Sequence, residues 1–506
     1  MNIAEMAVKN YHEFGEYSFL TFQDKVFTNL ELNERSDYFA HHLASGGIQK
    51  NDRVLIMLPN IPEVIISYQA VLKNGAIIVP INDSLNKREV QYIVNHCEPR
   101  FIITNTGNEH KVRDSGDGEG DHPTIILVDA PDLDLIHVNT ASQEPAHIVK
   151  KDRDDVAAII YTSGTTGVPK GAMITHGNIH SVHMELQALN LLSLDGNSLV
   201  EVGFSMLLVL PISHIYGLTV TMMSYLIGAR MVLMPRFDIE EMFHLIEKDQ
   251  INLFSGVPTI YLRMAKYAKM KSVDASSVRY WISGAAPLSQ DVRRLFEEQF
   301  QTKIIEGYGL TETTSGFALQ RLERPMKLNS VGQVFPESEV GVFDENYTLL
   351  QKGDIGELAI KGPNVMKGYY KMEAETQEVL KNGWLLTGDI GYIDEDHDVF
   401  IVDRKKDMII RGGFKVFPIE VEKVLTEHQA ISEAGVIGVT HQDMGEVVKA
   451  FVTIKQDKKV TESELIQFCR QKLASYKVPD SVIFLSELPI NELGKVLRKE
   501  LRKFAF

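Results

Sequence analysis

The feature that most constrains this chain is a buried-strand pattern running directly into a loop rich in glycine, serine and threonine. The apolar run Val156–Ile160 predicts a strand, and the loop Tyr161–Gly171 follows it with the sequence YTSGTTGVPKG. Inward-facing main-chain N–H groups, hydroxyls and a lysine can together hold a polyphosphate. The loop is not a Walker A motif, because Pro169 and Gly171 replace its Gly and its Ser or Thr. A serine- and glycine-rich surface turn is the alternative that the loop alone leaves open.

The length and charge of the chain limit the architectures and partners that fit this loop. At 506 residues the chain exceeds the size of a single hydrophobic core, so we expect two or more domains. A hydrophobic fraction of 44% and a charged fraction of 24% are typical of a water-soluble globular protein. The formal net charge of −16 argues against nucleic acid or an anionic membrane surface as a partner. A polyphosphate must therefore be held by local donors and metal ions.

Two cysteines and one apolar stretch bear on other classes of protein. Cys97 and Cys469 are far apart and outside any CxxC pattern, so we predict neither a disulfide framework nor a zinc site, and a reducing cytoplasm fits. The N-terminus lacks the basic start and apolar core of a signal peptide. The apolar stretch Phe204–Ala229 is interrupted by Pro211 and Gly217, so we expect a strand, a loop and a core helix there and no membrane span.

Changes in hydrophobic periodicity divide the chain into regions. Up to Ile304, strand-like runs such as Ile77–Ile81 alternate with helical runs, which predicts two parallel sheets covered by helices. Between about residues 325 and 400, short runs separated by Gly, Asn and Asp predict a small antiparallel barrel. The charged segment Asp403–Lys406 is a predicted linker. Beyond it, helices and strands predict an α+β domain of about 100 residues, including a helix Thr461–Leu473 that begins with a capping box.

Further motifs follow the loop in order along nearly the whole chain. They are Leu210–Gly217 (LPISHIYG), Ser283–Pro287 (SGAAP), Gly307–Glu312 (GYGLTE), Leu386–Asp389 (LTGD), Asp403–Asp407 (DRKKD) and Gly494–Lys495 (GK). With the loop, they resemble the signatures of the acyl-adenylate-forming superfamily: acyl-CoA synthetases, firefly-type luciferases and peptide-synthetase adenylation domains. The resemblance implies an α/β fold with a large N-terminal domain, 1–404, of two αβ sheets and a barrel, and a small mobile α+β lid, 405–506. It also implies ATP, Mg²⁺ and CoA as ligands.

The resemblance assigns the nucleotide site residue by residue. It implies phosphate binding by Thr162, Ser163, Gly164, Thr165, Thr166, Gly167 and Lys170. It implies nucleotide contacts from Gly284, Ala285, Ala286, Glu306, Gly307, Tyr308 and Gly309, with Tyr308 stacked on the adenine. Thr311 is expected at the α-phosphate and Glu312 at Mg²⁺, whereas Asp389 and Arg404 are expected at the ribose hydroxyls. Taken singly, each motif also fits a strand-end turn with solvated side chains.

The same resemblance implies the residues around the acid. His214, Tyr216 and Gly284 are expected to form the wall of the acyl pocket. We assign His214 to positioning, because a carboxylate nucleophile needs no deprotonation, and a core histidine is the alternative. Lys495 is expected to bridge the carboxylate and the α-phosphate, although the familiar Thr-rich sequence before this lysine is replaced by Asn491–Leu493.

The lid residues follow from the resemblance as well. Lys406 corresponds to the hinge of the family, and Gly412 and Gly413 are expected to line a tunnel for the pantetheine arm of CoA. The lid would rotate about the hinge between the two half-reactions. The basic residues near the C-terminus fit a solvated tail; they are Arg498, Lys499, Arg502 and Lys503.

Together these observations predict an ATP-dependent carboxylate–CoA ligase that acts on a medium- or long-chain fatty acid. An α-amino acid is disfavoured, because the loop Pro211–Gly217 has no carboxylate to pair with an ammonium group. Aryl acids stay open, since Tyr216 and Gly284–Ala286 also suit a flat ring. A ligase that loads an acyl carrier protein and a non-catalytic nucleotide-binding module are the alternatives. The sequence leaves a homodimer open.

Overall fold

Runs of aliphatic and β-branched residues form the strands of this protein, and amphipathic segments between them form the helices that cover the sheets. The computed structural model describes residues 1–113, 122–130, 133, 135–136, 144–162, 168–188, 203–490 and 496–504. The predicted phosphate-loop residues Ser163–Gly167, the lead-in Asn491–Leu493 and Lys495 therefore lie outside the described residues.

The N-terminal part of the chain supplies all the described strands of the first sheet except β18 (Gly368–Tyr369), and it also supplies two strands of the second sheet, β1 and β2. The elements there are α1 (Glu5–Phe14), β1 (Ser18–Phe22), β2 (Lys25–Thr28), α2 (Asn29–Ser45), β3 (Arg53–Ile56), α3 (Pro62–Lys73), β4 (Ile77–Pro80), α4 (Lys87–Cys97), β5 (Phe101–Thr104), α5 (Glu109–Val112), β6 (Thr124–Leu127), β7 (Val156–Thr162), β8 (Lys170–Thr175) and α6 (His176–Ala188). The predicted strands at Val156–Ile160 and Ile77–Ile81 are confirmed.

The second sheet and the antiparallel region come from the next part of the chain. The elements there are β9 (Ser205–Leu208), α7 (Ile215–Ile227), β10 (Arg230–Leu233), α8 (Ile239–Lys248), β11 (Leu253–Gly256), α9 (Pro258–Ala268), β12 (Tyr280–Ser283), α10 (Gln290–Phe300), β13 (Ile304–Tyr308), β14 (Ala318–Leu319), β15 (Ser330–Val334), β16 (Glu339–Phe343), β17 (Gly356–Lys361), β18 (Gly368–Tyr369), α11 (Glu373–Val379), β19 (Leu380–Lys381), β20 (Trp384–Ile393) and β21 (Asp398–Arg404). The predicted strand, loop and core helix within Phe204–Ala229 are confirmed as β9 and α7.

The C-terminal part forms its own sheet. Its elements are β22 (Ile409–Arg411), β23 (Phe414–Val416), α12 (Pro418–Thr426), β24 (Ile431–His441), β25 (Gly445–Ile454), α13 (Glu462–Lys472), β26 (Ser481–Phe484) and α14 (Arg498–Leu501). Short 3₁₀ helices occur at Thr311–Thr313, Lys405–Asp407, Ser475–Lys477 and Arg502–Phe504. The predicted capping box at the start of α13 is confirmed, with Thr461 and Glu464 bonded reciprocally.

Two sheets with parallel cores make up the large part of the molecule. In the first, the described strands run in the order β18-β8-β7-β4-β3-β5-β6, and the strands from β7 to β6 are parallel. In the second, β13-β12-β11-β9-β10-β1 are parallel. The predicted antiparallel strands extend this second sheet through β14 in the order β14-β15-β21-β20-β17-β16. The expected α/β class with two sheets is confirmed.

The hydrophobic side chains of the C-terminal part pack among themselves. Val421, Val436 and Leu465 belong to a buried cluster whose members all come from residues 409–482. Separate packing of this kind is typical of a domain. Among the described helices, none combines the length and the hydropathy needed to cross a bilayer. Cys97 and Cys469 are both buried and unpaired by disulfide.

Candidate active site

A cavity of about 680 Å³ opens where the carboxyl ends of β11, β12 and β13 meet the first sheet. This edge is where open α/β sheets bind ligands, because the strand ends leave loops and free N–H groups around a crevice. Thr162 at the end of β7 and Lys170 at the start of β8 line one side, and the segment Gly307–Glu312 lines the other. The structure therefore brings the ends of the predicted phosphate loop to the motif after β13.

One end of the cavity is formed by a network of bonded polar side chains. The Tyr308 hydroxyl donates to the Asp389 carboxylate, and Arg404 Nε lies 2.7 Å from Asp389 Oδ1. Asp389 and Arg404 face each other across the antiparallel pair β20–β21, so the sheet register sets this contact. Burial and the neighbouring carboxylate raise the pKa of Tyr308 well above its ordinary value, so its hydroxyl stays a donor. Asp389, only 2% exposed, has both oxygens engaged by protein groups.

The other polar end carries opposite charges that are held apart. The Tyr369 hydroxyl donates to Glu312 Oε1 at 2.8 Å, and Lys170 Nζ lies 5.1 Å from the centre of the Tyr369 ring. Thr311 and Glu312 lie on the 3₁₀ turn that follows β13, and both line the cavity. The pKa of Tyr369 is raised, first by burial and then by the Glu312 carboxylate, so its hydroxyl also stays a donor.

Glu312 has an environment that suits a hard cation. Within the described residues, its side chain bonds only to Tyr369, through Oε1, which leaves Oε2 available at the cavity wall. Carboxylate oxygens are the ligands that Mg²⁺ prefers, and Mg²⁺ usually binds through one or two carboxylates together with substrate phosphates. The residues present therefore fit the Mg²⁺ that the sequence predicts.

His214 and Tyr216 line the cavity on either side, in sequence, of Ile215, which belongs to the apolar extension of the cavity. His214 caps α7, with its Nδ1 accepting from the Tyr216 N–H at 3.3 Å, so the neutral ring carries its proton on Nε2. Burial lowers the pKa of His214 to about 4. The ring is therefore neutral at physiological pH and can donate from Nε2 without carrying a charge.

Gly284 allows Tyr216 to approach the loop after β12. A side-chain carbon built at Gly284 would lie 3.1 Å from Cε1 of Tyr216, closer than most real contacts. The next residue, Ala285, lines the cavity and has a φ of 65°, a left-handed conformation that costs energy outside glycine. Backbone strain of this kind is found at ligand-binding loops, and Gly284–Ala285 therefore looks adapted to the cavity and not to the core.

The apolar extension lies between two helices and the floor of the second sheet. Its described side chains are Val182, Leu186, Ile215, Val220, Met223, Leu253, Ile282, Ile305, Leu319 and Phe335. Thr219, Ser255 and Tyr280 add neutral polar groups. Because the α6 and α7 residues recur at helical spacing and the strand residues alternate, one face of each element lines this space.

Some predicted residues are not brought to the cavity. The Glu306 side chain, 7% exposed, pairs with Arg293 at 3.0 Å and accepts from the Leu288 N–H. Successive strand residues point to opposite faces, so the neighbours Ile305 and Gly307 line the cavity and Glu306 faces away from it. Ala286 and Asp389 are also outside the described lining, although Asp389 is bonded to Tyr308 and Arg404, which belong to it. Gly412 and Gly413 likewise lie elsewhere, in the turn between β22 and β23.

The predicted linker lines the mouth of the cavity. Lys405 Nζ bonds to Glu357 Oε2 at 2.7 Å, and Lys406 lines the cavity beside Arg404. Burial lowers the pKa of Lys406, while the neighbouring Asp407 opposes that effect. The linker is therefore held against the large part of the molecule in this conformation.

The interpretation of Arg498 as part of a solvated tail is wrong. Its side chain is 14% exposed, with Asp407 Oδ2 at 2.9 Å, Glu422 Oε1 at 2.9 Å and Asp403 Oδ1 at 3.5 Å. A guanidinium group can serve several carboxylates at once because its donors form a planar fork. The other three basic residues assigned to the tail, Lys499, Arg502 and Lys503, are exposed, as predicted.

Sequence reasoning missed Tyr369, Glu357 and Arg498 as participants in the site or its surroundings. Tyr369 lies in the segment GYYK, where nothing local distinguishes the phenol that faces the cavity from its neighbour. Glu357 lies in β17, and nothing in its sequence context indicates that it bonds to Lys405.

A ligand-sized cleft at the carboxyl ends of parallel strands, bordered by a separately packed C-terminal domain, defines a two-domain nucleotide-binding enzyme of the α/β class. The chain belongs to the AMP-binding enzyme family: the family pattern described as "AMP-binding enzyme" matches residues 8–370, and that described as "AMP-binding enzyme C-terminal domain" matches residues 420–495. The predicted class, an adenylate-forming acid–thiol ligase, is thereby confirmed at the level of the family.

Relatives with these features span nearly the whole chain. The chain is 36% identical to the long-chain-fatty-acid–CoA ligase of Bacillus subtilis (strain 168) over 513 residues, covering 95% of this chain and 89% of the relative. It is 35% identical to 4-coumarate–CoA ligase 2 of Nicotiana tabacum over 489 residues, covering 94% and 89%. The structure of ATP-bound MatB from Rhodopseudomonas palustris matches with a TM-score of 0.90 at 29% identity, covering 100% of this chain and 99% of that one.

Proposed function

We propose that this protein activates an aliphatic carboxylic acid with ATP and transfers the acyl group to CoA. The observation that carries this proposal is that one cavity has both polar lining residues, among them Lys170, Glu312 and Arg404, and an apolar extension. Arg404 is in turn paired with the buried Asp389. A molecule with a charged head and a hydrocarbon tail would meet a nucleotide in such a cavity. His214 also lines it, and an acid carboxylate and an α-phosphate would approach each other there.

The chemistry explains why ATP is needed. A carboxylate does not react with a thiol at neutral pH, because its leaving group would be an oxide. Attack of the carboxylate oxygen on the α-phosphorus forms an acyl-AMP and releases pyrophosphate, after which a thiol displaces AMP. The first step brings anionic oxygens together, so the protein must position them and offset their charge.

The polar ends divide this task between the base and ribose of ATP and its phosphates. Tyr308 and Arg404 line the cavity and would hold the adenosine half. Asp389 is bonded to both, and we keep it as the residue proposed for the ribose hydroxyls. Thr162, Lys170 and the loop Ser163–Gly167 would hold the β- and γ-phosphates. Thr311 would contact the α-phosphate. Mg²⁺ bound at Glu312 would supply charge neutralisation.

His214 would orient the acid. Its neutral ring can donate from Nε2 to a carboxylate oxygen and leave the other oxygen free to attack. A neutral donor suits this role, since a fixed positive charge would reduce the nucleophilicity of the carboxylate. Tyr216 and Gly284 would form the wall on which the first carbons of the acid lie.

The acid itself is inferred from the apolar extension. Its described residues carry no formal charge, so burying an ammonium or a second carboxylate there would cost energy, whereas a hydrocarbon chain would not. The Bacillus relative is named for long-chain fatty acids, in agreement with a medium- or long-chain substrate. The tobacco relative is named for an aryl acid, and the close Tyr216–Gly284 contact keeps an aryl acid as the second candidate.

The second half-reaction requires a change in the C-terminal part. We propose residues 1–404 and 405–506 as the two domains, with Lys406 at the hinge, Lys495 acting during adenylation, and Gly412 and Gly413 admitting the pantetheine arm. In the described conformation this glycine turn is away from the cavity, and Lys405 is bonded to Glu357. A rotation about Lys406 would move the turn while Lys405, which precedes the hinge, stays bonded to Glu357.

Pyrophosphate release across fatty, aryl and amino acids, each with and without CoA, tests the function. We expect release without CoA for aliphatic acids, and conversion to acyl-CoA once free CoA is added. Release that leads to product only with a carrier protein would show a carrier-loading ligase. If no acid gives pyrophosphate in the presence of ATP and Mg²⁺, the protein is a binding module and the proposal fails.

A further inference from the structure

Tyr369 lines the cavity together with Lys170 and Glu312, at the end that we propose for the phosphates and call the phosphate end. It belongs to the short strand β18, which pairs with β8 so that Tyr369 lies opposite Ala172, two residues beyond Lys170. The segment just before β18 also contacts the other side of the site, because the Met366 N–H donates to the Glu312 main-chain oxygen at 2.8 Å. The backbone thus fixes Tyr369 between the strand that carries Lys170 and the turn that carries Glu312.

The phenol contacts both charged residues in different ways. Its hydroxyl donates to Glu312 at 2.8 Å, while the face of its ring is 5.1 Å from the Lys170 ammonium group. A carboxylate that accepts one directed hydrogen bond is restricted in orientation, and an aromatic face attracts a cation without neutralising it. Within the described residues, no ion pair joins Lys170 to Glu312, although both line the same cavity.

A direct pair between these residues would interfere with ligand binding. Opposite charges in a partly enclosed cavity attract strongly, and a lysine bonded to the carboxylate would occupy the oxygen that a divalent cation needs. The phosphates would then have to separate the pair before they could use the lysine. The Tyr369 side chain gives each of the two groups a separate partner.

We propose that Tyr369 is a positioning residue that keeps Lys170 and Glu312 apart and orients them toward the triphosphate and its divalent cation. This inference rests on the proposed function, because it assumes that ATP occupies this cavity. It assigns two roles to one side chain: the hydroxyl sets the Glu312 carboxylate, and the ring holds the Lys170 ammonium group.

Two substitutions separate these roles. Tyr369→Phe removes the hydroxyl and keeps the ring, whereas Tyr369→Leu removes both. The adjacent Tyr370 offers a matched control, since its ring contacts His96 at 5.8 Å and it is outside the described cavity lining. Thermal unfolding of each variant establishes that it is folded before binding is measured.

Calorimetric titration with ATP, first without divalent cations and then at increasing Mg²⁺, gives a readout that does not depend on turnover. For Tyr369→Phe we expect ATP affinity without Mg²⁺ to stay within about twofold, while the Mg²⁺ concentration needed for half-maximal enhancement rises roughly tenfold, as for a lost hydrogen bond to a charged group. For Tyr369→Leu we expect the same Mg²⁺ effect together with a roughly tenfold loss of metal-free affinity, because Lys170 can then pair with Glu312. Adding Lys170→Ala to Tyr369→Leu should cause little further loss of metal-free affinity.

Several results would overturn the proposal. An unchanged Mg²⁺ requirement in Tyr369→Phe would show that the hydroxyl does not set Glu312. Equal metal-free affinity in the Phe and Leu variants would show that the ring does not hold Lys170. Matching losses in Tyr370→Phe would indicate a general packing effect. Failure of the unmodified protein to bind ATP would overturn the proposed function itself, which separates that failure from a failure of the role of Tyr369.

Discussion

The two polar ends of the cavity differ in how their charges are balanced. One end, formed by Tyr308 and Arg404, is the end that we propose for the ribose and is called the ribose end. The Asp389 carboxylate behind it is buried and bonded to both residues, so its charge is offset before any ligand binds. At the phosphate end, Lys170 and Glu312 face the same space without a direct pair in the described structure. The first end is preformed, whereas the second is completed by its ligands.

This difference predicts which substitutions damage the fold and which damage only function. A buried carboxylate with two charge-assisted partners contributes to stability, and removing it leaves its partners unsatisfied. A partly solvated charge held for a ligand contributes little to stability and much to binding. Substitutions at the two ends should therefore have opposite profiles.

The largest effect is expected at the ribose end. Asp389→Ala leaves Arg404 without its counter-charge and Tyr308 without its acceptor, so the free energy of unfolding should fall by about 3 kcal/mol. ATP affinity should fall roughly 100-fold as well, since two hydrogen bonds to ribose and the orientation of Arg404 are lost. Urea unfolding and ATP titration measure these changes. In the control Glu395→Ala, at an exposed turn, unfolding should change by less than about 0.5 kcal/mol. A stable Asp389→Ala protein would contradict the preformed network.

Glu312→Gln should show the opposite profile. It keeps the shape of the side chain and its bond from Tyr369 but removes the charge that a cation needs, so the rate of pyrophosphate release should fall roughly 100-fold. The free energy of unfolding should change by less than about 1 kcal/mol, because the side chain is not part of a closed ionic network. Glu323→Gln, at an exposed position, is the control. A large loss of stability in Glu312→Gln would place this residue with the preformed end.

A substitution at His214 tests whether the residue that we propose for the acid acts as a fixed neutral donor. His214→Gln should lower kcat/KM for the acid roughly tenfold through loss of one positioning donor. Because the pKa of His214 is lowered to about 4, its ring is neutral across pH 6–8, and the variant should keep the pH profile of the original protein in that range. His244→Gln, on an exposed helix face, should leave kcat/KM unchanged. A limb of the pH profile near 6.5 that disappears with His214 would contradict this assignment.

The same lowered pKa has a consequence for stability. In the unfolded chain a histidine takes up its proton near pH 6.5, whereas the folded protein resists protonation of His214 until about pH 4. The unfolded state therefore binds more protons between these values, and stability falls as pH decreases from about 6.5 to about 4. His183, whose pKa burial also lowers to about 4, adds to this trend.

The smallest effect is expected for Tyr308→Phe, which removes one hydrogen-bond donor to Asp389 and keeps Arg404 in place. The free energy of unfolding should fall by about 1 kcal/mol, as for one net hydrogen bond, and ATP affinity should fall only a few-fold. Differential unfolding against Tyr11→Phe, a more exposed tyrosine, measures the change. A loss as large as that of Asp389→Ala would mean that Tyr308, and not Arg404, offsets the carboxylate.

Much of the fold could be predicted because local patterns decide it. The strand at Val156–Ile160, the strand–loop–helix within Phe204–Ala229 and the capping box at Thr461 follow from periodicity and cap chemistry, which neighbouring residues determine. Strand ends moved by one or two residues, as at β4. The union of the antiparallel strands with the second sheet could not be predicted, since pairing between distant strands has no local signal.

The candidate site was predictable in its motifs and less so in its orientations. Glu306 belongs to a predicted motif, but strand alternation turns its side chain toward Arg293. Arg498 looked like a solvated residue because its three carboxylate partners are distant in sequence or on other elements. The sequence does not distinguish Tyr369 from the adjacent Tyr370. Which of the two side chains faces the cavity depends on the alternation of side chains along the chain at β18. Contacts of this kind depend on tertiary structure.

The neighbours Asp403 and Arg404 are bonded to opposite domains. Asp403 accepts from the Ile419 N–H at 2.8 Å and contacts Arg498, whereas Arg404 is bonded to Asp389 in the large domain. If the C-terminal part rotated about Lys406, Asp403 would lose its contacts with Ile419 and Arg498. If it rotated about a point before Asp403, these contacts would be kept, and Arg404 would move away from Asp389. The first route exposes ionic groups to water, so its equilibrium responds to dissolved salt; the second couples opening directly to loss of the nucleotide.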